Sequence, residues 1–149
     1  MIAAGSGAGS HKDVHVAYAE GSSGTVTTAG GVKNKVTINK ITDPATSSNS
    51  FEQPKPGNHY MTVAVTIENV GSKETTGVDT KLRMTDGTEY GQTFASGIGA
   101  SDLNSIKSLT SGGKTDAVFA FEVKDGLTIQ WLKFDPNIFA TGDLYFDKK

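Results

Sequence analysis

The segment HYMTVAVTIENVG, residues 59–71, decides the fold class of the chain. Apolar residues occupy every second position through its centre, and they are Met61, Val63, Val65 and Ile67. Strict alternation in a run rich in β-branched residues is typical of a β-strand with one face in a core. An amphipathic helix would instead place apolar residues every three or four positions. The segment therefore predicts a long central strand, with the other strands beside it or over it.

The composition predicts one folded domain that needs neither disulfides nor metal for stability. A chain of 149 residues is long enough to bury ~70% of the surface that its unfolded form exposes. It has no cysteine, which excludes thiolate catalysis, cysteine-ligated zinc and a disulfide framework. Its formal net charge is −2, and this near-neutral balance disfavours nucleic acid and anionic membranes as partners.

The sequence predicts no membrane insertion by this segment, because no apolar run approaches the ~20 residues of a membrane span. The N-terminal sequence MIAAGSGAGS lacks the charged and apolar regions of a signal peptide. A membrane anchor is therefore expected to have been removed or to lie upstream.

The N-terminal part of the chain differs in composition from the rest. Residues 1–31 are dominated by Gly, Ser, Ala and Thr, and such segments bury too little apolar surface to offset the entropy of ordering. We therefore expect a flexible leader or spacer over residues 1–31 and a folded domain over residues 32–149. Within the leader, the run VHVAY at residues 14–18 is the one candidate for a weak edge strand.

Turn signals divide the folded part into about seven or eight short predicted strands. A first strand contains Val36 and Ile38, with a bulge where the alternation breaks at Lys40. Residues 42–58 form a long polar loop whose three prolines exclude a central strand. Asp86-Gly87 predicts a hairpin with a type I′ turn. Residues 116–123 form the second clear strand.

The C-terminal part continues this pattern. Residues 128–134 form a strand that contains the only tryptophan, Trp131, and Leu144-Tyr145-Phe146 is a candidate closing edge strand. In between, residues 95–109 are ambiguous, and Ser101-Asp102 is a possible helix cap. Many short strands without a strong helix predict an all-β protein, an antiparallel β-sandwich or barrel.

Four motifs in this order resemble a known family. They are Asn69-Val70-Gly71, the hairpin from Asp86 to Tyr90, Gly112-Gly113-Lys114 before an aromatic strand, and the run from Leu132 to Asp135. The pattern, over residues 32–136, resembles a domain of unknown function common in Gram-positive lipoproteins and surface proteins. The fold of that family is similar to the mycobacterial immunoprotective extracellular antigen. The resemblance implies an immunoglobulin-like sandwich that is secreted or at the cell surface, and it implies no activity. This chain lacks the lipobox cysteine.

Residues 108–115, SLTSGGKT, nearly match the phosphate-binding loop, with Ser108 in place of the first glycine. That loop requires a helix N-terminus after it, which would face the phosphate. Here a strand is predicted to follow. We therefore expect a plain β-turn and no nucleotide site.

His59, Met61 and Met84 are the residue types that bind Cu(I). On a strand, however, His59 and Met61 share the face of Val63, so Met61 is expected to fill the core. His11 and His15 form a second conceivable pair in the leader. Copper therefore remains an alternative and no metal ligand is assigned.

Acidic residues and possible catalytic groups give no stronger signal. Asp43, Asp86, Asp125 and Asp135 each sit in a predicted turn, where Asp is common without binding calcium. The sequence has no GxSxG motif, and no carboxylate pair is singled out for glycoside hydrolysis. We assign no catalytic, cofactor-binding or metal-binding residue and expect no enzyme and no cofactor.

Aromatic residues offer the one hint of a binding surface. Phe119, Phe121 and Phe134 are expected in the sandwich core. Trp131 lies opposite Leu132 and Phe134 on a regular strand, so either a bulge is present or the indole is exposed. An exposed Trp would mark a binding surface.

The sequence therefore predicts a non-catalytic extracellular or cell-surface module that binds another protein or a cell-envelope component. One alternative is a surface carrier of a small ligand or of copper. A structural spacer domain is another.

Overall fold

The structure, a computed structural model, describes residues 13–27, 32–74, 79–93, 96–99, 109–135 and 143–148. Within these residues it contains strands in two stacked sheets and a single 3-10 turn at Ser96–Ile98. The strands are β1 (Val14–Ala17), β2 (Ser23–Thr27), β3 (Lys33–Ala45), β4 (Asn58–Asn69), β5 (Asp79–Met84), β6 (Glu89–Gly91), β7 (Lys114–Lys124), β8 (Ile129–Asp135) and β9 (Leu144–Asp147). No helix among the described residues is long and apolar enough to cross a membrane.

The two sheets form an immunoglobulin-like β-sandwich, as the sequence predicts. One sheet has the strand order β1-β9-β8-β5-β6, and the other has the order β2-β3-β4-β7. The neighbouring strands are antiparallel except for β1 and β9, which run parallel. The inner faces of the two sheets pack together and form the core.

Strand β4 is the central strand predicted from residues 59–71. It pairs with β3 on one side and with β7 on the other. Its four alternating apolar side chains, Met61, Val63, Val65 and Ile67, are each at most 2% exposed. Burying a side chain of this size contributes roughly 1.5–3 kcal/mol. The prediction is confirmed, and so is the bulge in β3, which falls between Ile38 and Lys40.

Strands β1 and β2 correct the predicted leader and its boundary at residue 32. Val14 and Val16 of β1 pack against the core beside Tyr18, and Val26 of β2 is 2% exposed. Gly24 lies so close to Leu144 that a Cβ at position 24 would overlap the leucine side chain. Part of the small-residue composition therefore serves close packing and not flexibility. Residues 1–12 and 28–31 lie outside the described residues.

Aromatic rings fill the centre of the core. The Phe134 ring meets the Phe119 ring and the Phe146 ring edge to face, with centroids 5.6 Å apart in both pairs. Phe121 is also fully buried. The expectation that the phenylalanines of β7 and β8 belong to the core is met, and they offer no surface platform.

Three local predictions need correction. Strand β3 continues through Pro44 to Ala45, so the loop predicted from residue 42 begins after residue 45. The Met84 amide donates to the Thr88 carbonyl and the Gly87 amide donates to the Met84 carbonyl, while Gly87 has a φ of 93°. This is a three-residue hairpin loop with a glycine bulge and not a two-residue type I′ turn. Strand β9 is not an edge strand, because β1 pairs with its outer side. The possible helix cap at residues 101–102 lies outside the described residues.

Candidate functional site

The solvent-facing side of the five-stranded sheet carries the residue that the sequence left open, Trp131. Leu132 and Phe134 of β8 are fully buried, so alternation directs Trp131 and Lys133 to the outside. A register shift between Arg83 and Met84 lies beside this part of β8. Trp131 is half-buried on the outer face and does not enter the core. The bulge and the outward indole are therefore both present.

We call this outer surface the aromatic face. The register of the five strands aligns two rows of its outward residues. The outward residues are His15, Ala17, Tyr145, Asp147, Trp131, Lys133, Lys81, Arg83, Glu89 and Gly91.

Three rings on neighbouring strands touch one another in this face. The rings of His15 and Tyr145 stack, with centroids 4.6 Å apart and planes 5° from parallel. The Trp131 ring meets the Tyr145 ring edge to face at 5.2 Å. The ammonium of Lys133 lies 5.8 Å from the Trp131 ring centroid, within the range of a cation–π contact. These contacts fix the orientation of the rings. The rings lie on the outer side of the sheet and do not fill the core.

Charged side chains surround the rings and pair with one another. His15 Nδ1 lies 2.7 Å from the Asp147 carboxylate. Arg83 Nη1 donates to Glu89 at 2.8 Å, and Lys81 Nζ lies 3.8 Å from the same carboxylate. Each exposed pair of this kind contributes only about 0–1 kcal/mol to stability. Their main effect is to leave the face without a large excess of either charge.

Two further contacts complete the charge distribution. Lys133 Nζ lies 3.9 Å from the carboxylate of Asp143, the residue directly before β9. Arg83 Nε donates to the side-chain oxygen of Gln130 at 3.0 Å. Both cations therefore have two neighbours in fixed positions, and the guanidinium keeps a defined orientation beside Trp131.

Tyr145 is a site residue that the sequence analysis did not single out, and His15 was named there only as a conceivable metal ligand. The signal for Tyr145 was available, since the middle residue of Leu144-Tyr145-Phe146 must point away from a core that takes both neighbours. The signal for His15 was weaker, because its strand was only a candidate within a segment read as flexible.

His59 lies between two carboxylates at the start of β4. Its Nδ1 lies 2.7 Å from Asp125 and its Nε2 lies 2.8 Å from Asp43. Both ring nitrogens can donate at once only when the ring is protonated. Met61 and Met84, the other predicted copper candidates, are fully buried in the core. The structure therefore does not bring these three residues together as one accessible ligand set.

The remaining acidic candidates do not gather either. Among the described residues no group of three or more His, Cys, Asp or Glu side chains is placed to hold a metal ion. Asp86 accepts a hydrogen bond from the Thr88 amide, and this bond lowers the pKa of its carboxyl. Asp125 faces His59, and Asp135 ends β8. The Asp86 carboxylate therefore supports a turn, and the Asp125 carboxylate supports a neighbouring side chain.

The phosphate-loop resemblance at residues 108–115 corresponds to a turn. The Gly113 amide donates to the Thr110 carbonyl, and Gly112 has a φ of 84°. Strand β7 begins at Lys114, directly after the turn. A strand and not a helix follows the turn, so the plain turn that we expected is present.

An open cavity lies beside this turn. It has a volume of about 510 Å³ and is lined by Lys33, Val70, Gly71, Ser72 and Ser111. It sits past the end of β4, whereas His59 lies at the beginning of that strand. The cavity and His59 therefore do not combine into one pocket.

Phe51 is a second exposed aromatic side chain, 97% exposed on the loop between β3 and β4. Its amide donates to the side-chain oxygen of Asn49 at 3.0 Å. The neighbouring Glu52 accepts a hydrogen bond from the Gly97 amide at 2.7 Å. The sequence analysis passed over Phe51, although a lone aromatic in a polar loop was a visible signal.

Comparison with known proteins identifies a family and a fold. The sequence profile described as Domain of unknown function (DUF4352) matches residues 24–144. A search of curated protein sequences finds no match. The crystal structure of MPT63, a secreted protein from Mycobacterium tuberculosis, is similar with a TM-score of 0.64 and 15% identity, covering 93% of this chain and 99% of that one.

Two Bacillus subtilis structures are also similar. The yjhA protein has a TM-score of 0.60 and 15% identity, with 91% of this chain and 99% of that chain covered. The protein ycdA, described as a lipoprotein, has a TM-score of 0.57 and 13% identity. That match covers 87% of this chain and 39% of ycdA. At these identities the likeness shows a shared β-sandwich fold.

Proposed function

The chain belongs to the family described as Domain of unknown function (DUF4352), and we propose that it is a non-catalytic binding module that acts outside the cell or at its surface. The match confirms the resemblance predicted from the turn motifs. The family has no described function, and the match indicates no catalytic family. Extracellular or surface location is supported by two similar structures, one named a secreted protein and one described as a lipoprotein.

The proposed binding site is the aromatic face, and its partner is a cell-envelope component or another protein. The observation that carries this proposal is the contact between Trp131 and Tyr145 on the outer side of the sheet, 5.2 Å between centroids. Large aromatic side chains are enriched where proteins bind partners, since each offers a wide contact area at low entropic cost. In this position the rings add little to the core, which the inner faces already fill.

The alternative of a small-ligand or copper carrier receives less support. His59 has a carboxylate beside each ring nitrogen. The cavity of about 510 Å³ lies at the other end of β4. A carrier site needs convergent polar groups around one enclosed space. The aromatic face is therefore the better candidate.

The proposal is tested by sedimentation with purified Gram-positive cell walls that retain their attached proteins. We expect the wild-type protein to pellet with the walls and Trp131→Leu to remain in the supernatant. Lys35→Ala is the matched control, because Lys35 is exposed on the outer side of the other sheet. Protease treatment of the walls separates a protein partner from a polymer. Equal pelleting of Trp131→Leu and the wild type, or no pelleting of either, contradicts the proposal.

A further inference from the structure

We propose that the aromatic face binds an uncharged carbohydrate chain of hexose or N-acetylhexosamine units, an inference that rests on the proposed function. Three independent properties of the face lead to this ligand class. They are the kind of apolar group that it exposes, the balance of its charges, and the position of its hydrogen-bonding groups around the rings.

The apolar surface of the face is aromatic and not aliphatic. Its outward positions hold three rings, those of His15, Tyr145 and Trp131, while Ala17 is the one aliphatic side chain among them. The centre of a protein–protein interface is typically depleted of Lys, Glu and Asp. Here charged residues occur at the centre, with Lys133 above the indole. A surface of rings mixed with charges suits a ligand that has both C–H faces and hydroxyl groups.

The charges of the face nearly balance when the histidine is neutral. Its cations are Lys81, Arg83 and Lys133 and its anions are Glu89 and Asp147, and Asp143 adds a third anion at its edge beside Lys133. A phosphate-containing or acidic polymer would need cations in excess, since neutralised phosphates supply most of the affinity for such ligands. An uncharged ligand has no such need. Charge balance therefore favours a neutral polymer over a teichoic-acid-like or nucleic-acid-like one.

Hydrogen-bonding groups flank the rings of the face. Tyr145 faces Lys133 across the strands, and Trp131 lies between Asp147 and Arg83. Lys and Arg are donors and carboxylates are acceptors, whereas a hydroxyl is both. A pyranose that contacts the Trp131 ring therefore lies between a donor, Arg83, and an acceptor, Asp147. The rings lie on three adjacent strands and span about 10 Å at the usual strand spacing. This length accommodates more than one sugar unit.

Isothermal titration calorimetry with chitohexaose and with cellohexaose tests this inference. We expect one of the two hexamers to bind with an affinity that changes less than twofold between 50 and 500 mM NaCl, because no net charge is neutralised. Poly(glycerol phosphate), the anionic probe, is expected not to bind at either salt concentration. A hexamer affinity that falls more than tenfold with salt, or binding of the anionic polymer alone, overturns the neutral ligand.

Variants locate the binding to the aromatic face. Trp131→Leu and Tyr145→Leu keep apolar volume but remove a ring, and we expect each to weaken hexamer binding at least tenfold. Lys35→Ala should bind like the wild type. Thermal unfolding of each variant shows whether it remains folded. If Tyr145→Leu does not fold, the binding of Trp131→Leu alone tests the site. Unchanged binding by the folded ring variants overturns the site.

The failure of this inference is distinguishable from that of the proposed function. If cell walls pellet the wild type but not Trp131→Leu, while neither hexamer binds, the carbohydrate inference is wrong and the binding module stands. If neither walls nor hexamers bind, both are wrong. Binding of a hexamer that depends on Trp131 supports both.

Discussion

The imidazole ring of His15 stacks on the phenol ring of Tyr145, with the planes 5° from parallel and the centroids 4.6 Å apart. This contact joins β1 to β9, the parallel pair of the five-stranded sheet. On the inner side of the same strands, Val16 packs against the core that contains Phe146. The N-terminal strand therefore contributes one ring to the candidate site and two apolar side chains, Val14 and Val16, to the core.

Deleting residues 1–31 tests the role of the N-terminal strands. We expect the free energy of unfolding to fall by at least about 3 kcal/mol, because removal of β1 and β2 exposes apolar side chains of both sheets. Urea unfolding followed by circular dichroism measures this change. Deleting only residues 1–12 is the matched control, since it keeps every contact described for β1 and β2. A shortened chain with unchanged stability would show that these strands contribute nothing to the domain.

The sequence was sufficient to predict the elements whose side chains alternate strongly. Large apolar residues occupy every second position of β4 from Met61 to Ile67, and apolar residues occupy every second position of β7 from Ala117 to Val123. Their burial follows from the two-residue repeat of apolar side chains alone. The fold class could therefore be predicted without knowledge of tertiary contacts. The glycine-containing turns after Asp86 and Ser111 were also visible, although not the type of the first one.

The sequence was not sufficient where tertiary contacts decide the role of a residue. Gly24 looks like part of a flexible segment, but it is small because Leu144 packs directly against it. Asn69 looks like an ordinary turn residue, but its fully buried side chain organises two loops. The aromatic face combines residues that are far apart in sequence, such as His15 and Tyr145. Composition and periodicity are local properties, and none of these roles is local.

Asn69 provides a stability test of such a tertiary role. Its side-chain amide donates to the carbonyls of Lys73 and Leu109 at 2.7 and 2.8 Å, and its oxygen accepts from the Gly71 amide. Asn69→Ala should lower the free energy of unfolding by about 3 kcal/mol, because three part-buried hydrogen bonds to the backbone are lost together.

Asn39→Ala is the control, since Asn39 makes a single exposed hydrogen bond to Thr66. We expect it to change stability by less than about 0.5 kcal/mol. Both variants are compared by urea unfolding at pH 7. Equal effects of the two substitutions would contradict the role assigned to Asn69.

Val65→Asp tests the position of β4 in the core. Val65 is fully buried, and an unpaired carboxylate in this place costs several kcal/mol, which is a large part of the stability of a domain. We expect the variant to be unfolded at 25 °C by near-ultraviolet circular dichroism. Ala64→Asp, on the opposite side of the same strand and opposite Lys40, should remain folded. An unchanged melting temperature for Val65→Asp would contradict the strand assignment.

Glu122 predicts a pH dependence of stability. Hydrogen bonds from the Asn58 side chain and the Lys55 amide lower the pKa of its carboxyl. A carboxyl whose pKa is lower in the folded state stabilises the fold above its unfolded pKa, and this contribution is lost as the pH falls through the folded pKa. Glu122→Gln should therefore reduce stability by roughly 1 kcal/mol at pH 7 and by much less near pH 3.

The measurement is urea unfolding of wild type and Glu122→Gln at several pH values between 7 and 3. Glu74→Gln serves as the control, because Glu74 is exposed. The control should follow the wild-type curve throughout. A difference between wild type and Glu122→Gln that stays constant over this range would show that the ionised carboxylate is not what stabilises the loop.

Acrylamide quenching of tryptophan fluorescence tests the central claim, that the aromatic face is a binding surface. Trp131 is the only tryptophan, so the emission reports this one position. We predict that acrylamide quenches the emission of the free protein and that soluble cell-wall fragments reduce the quenching constant at least twofold. The same fragments should leave it unchanged in Tyr145→Leu, which keeps the indole but loses the adjoining ring. Quenching that is identical with and without fragments, in a protein that binds them, would place the binding surface elsewhere.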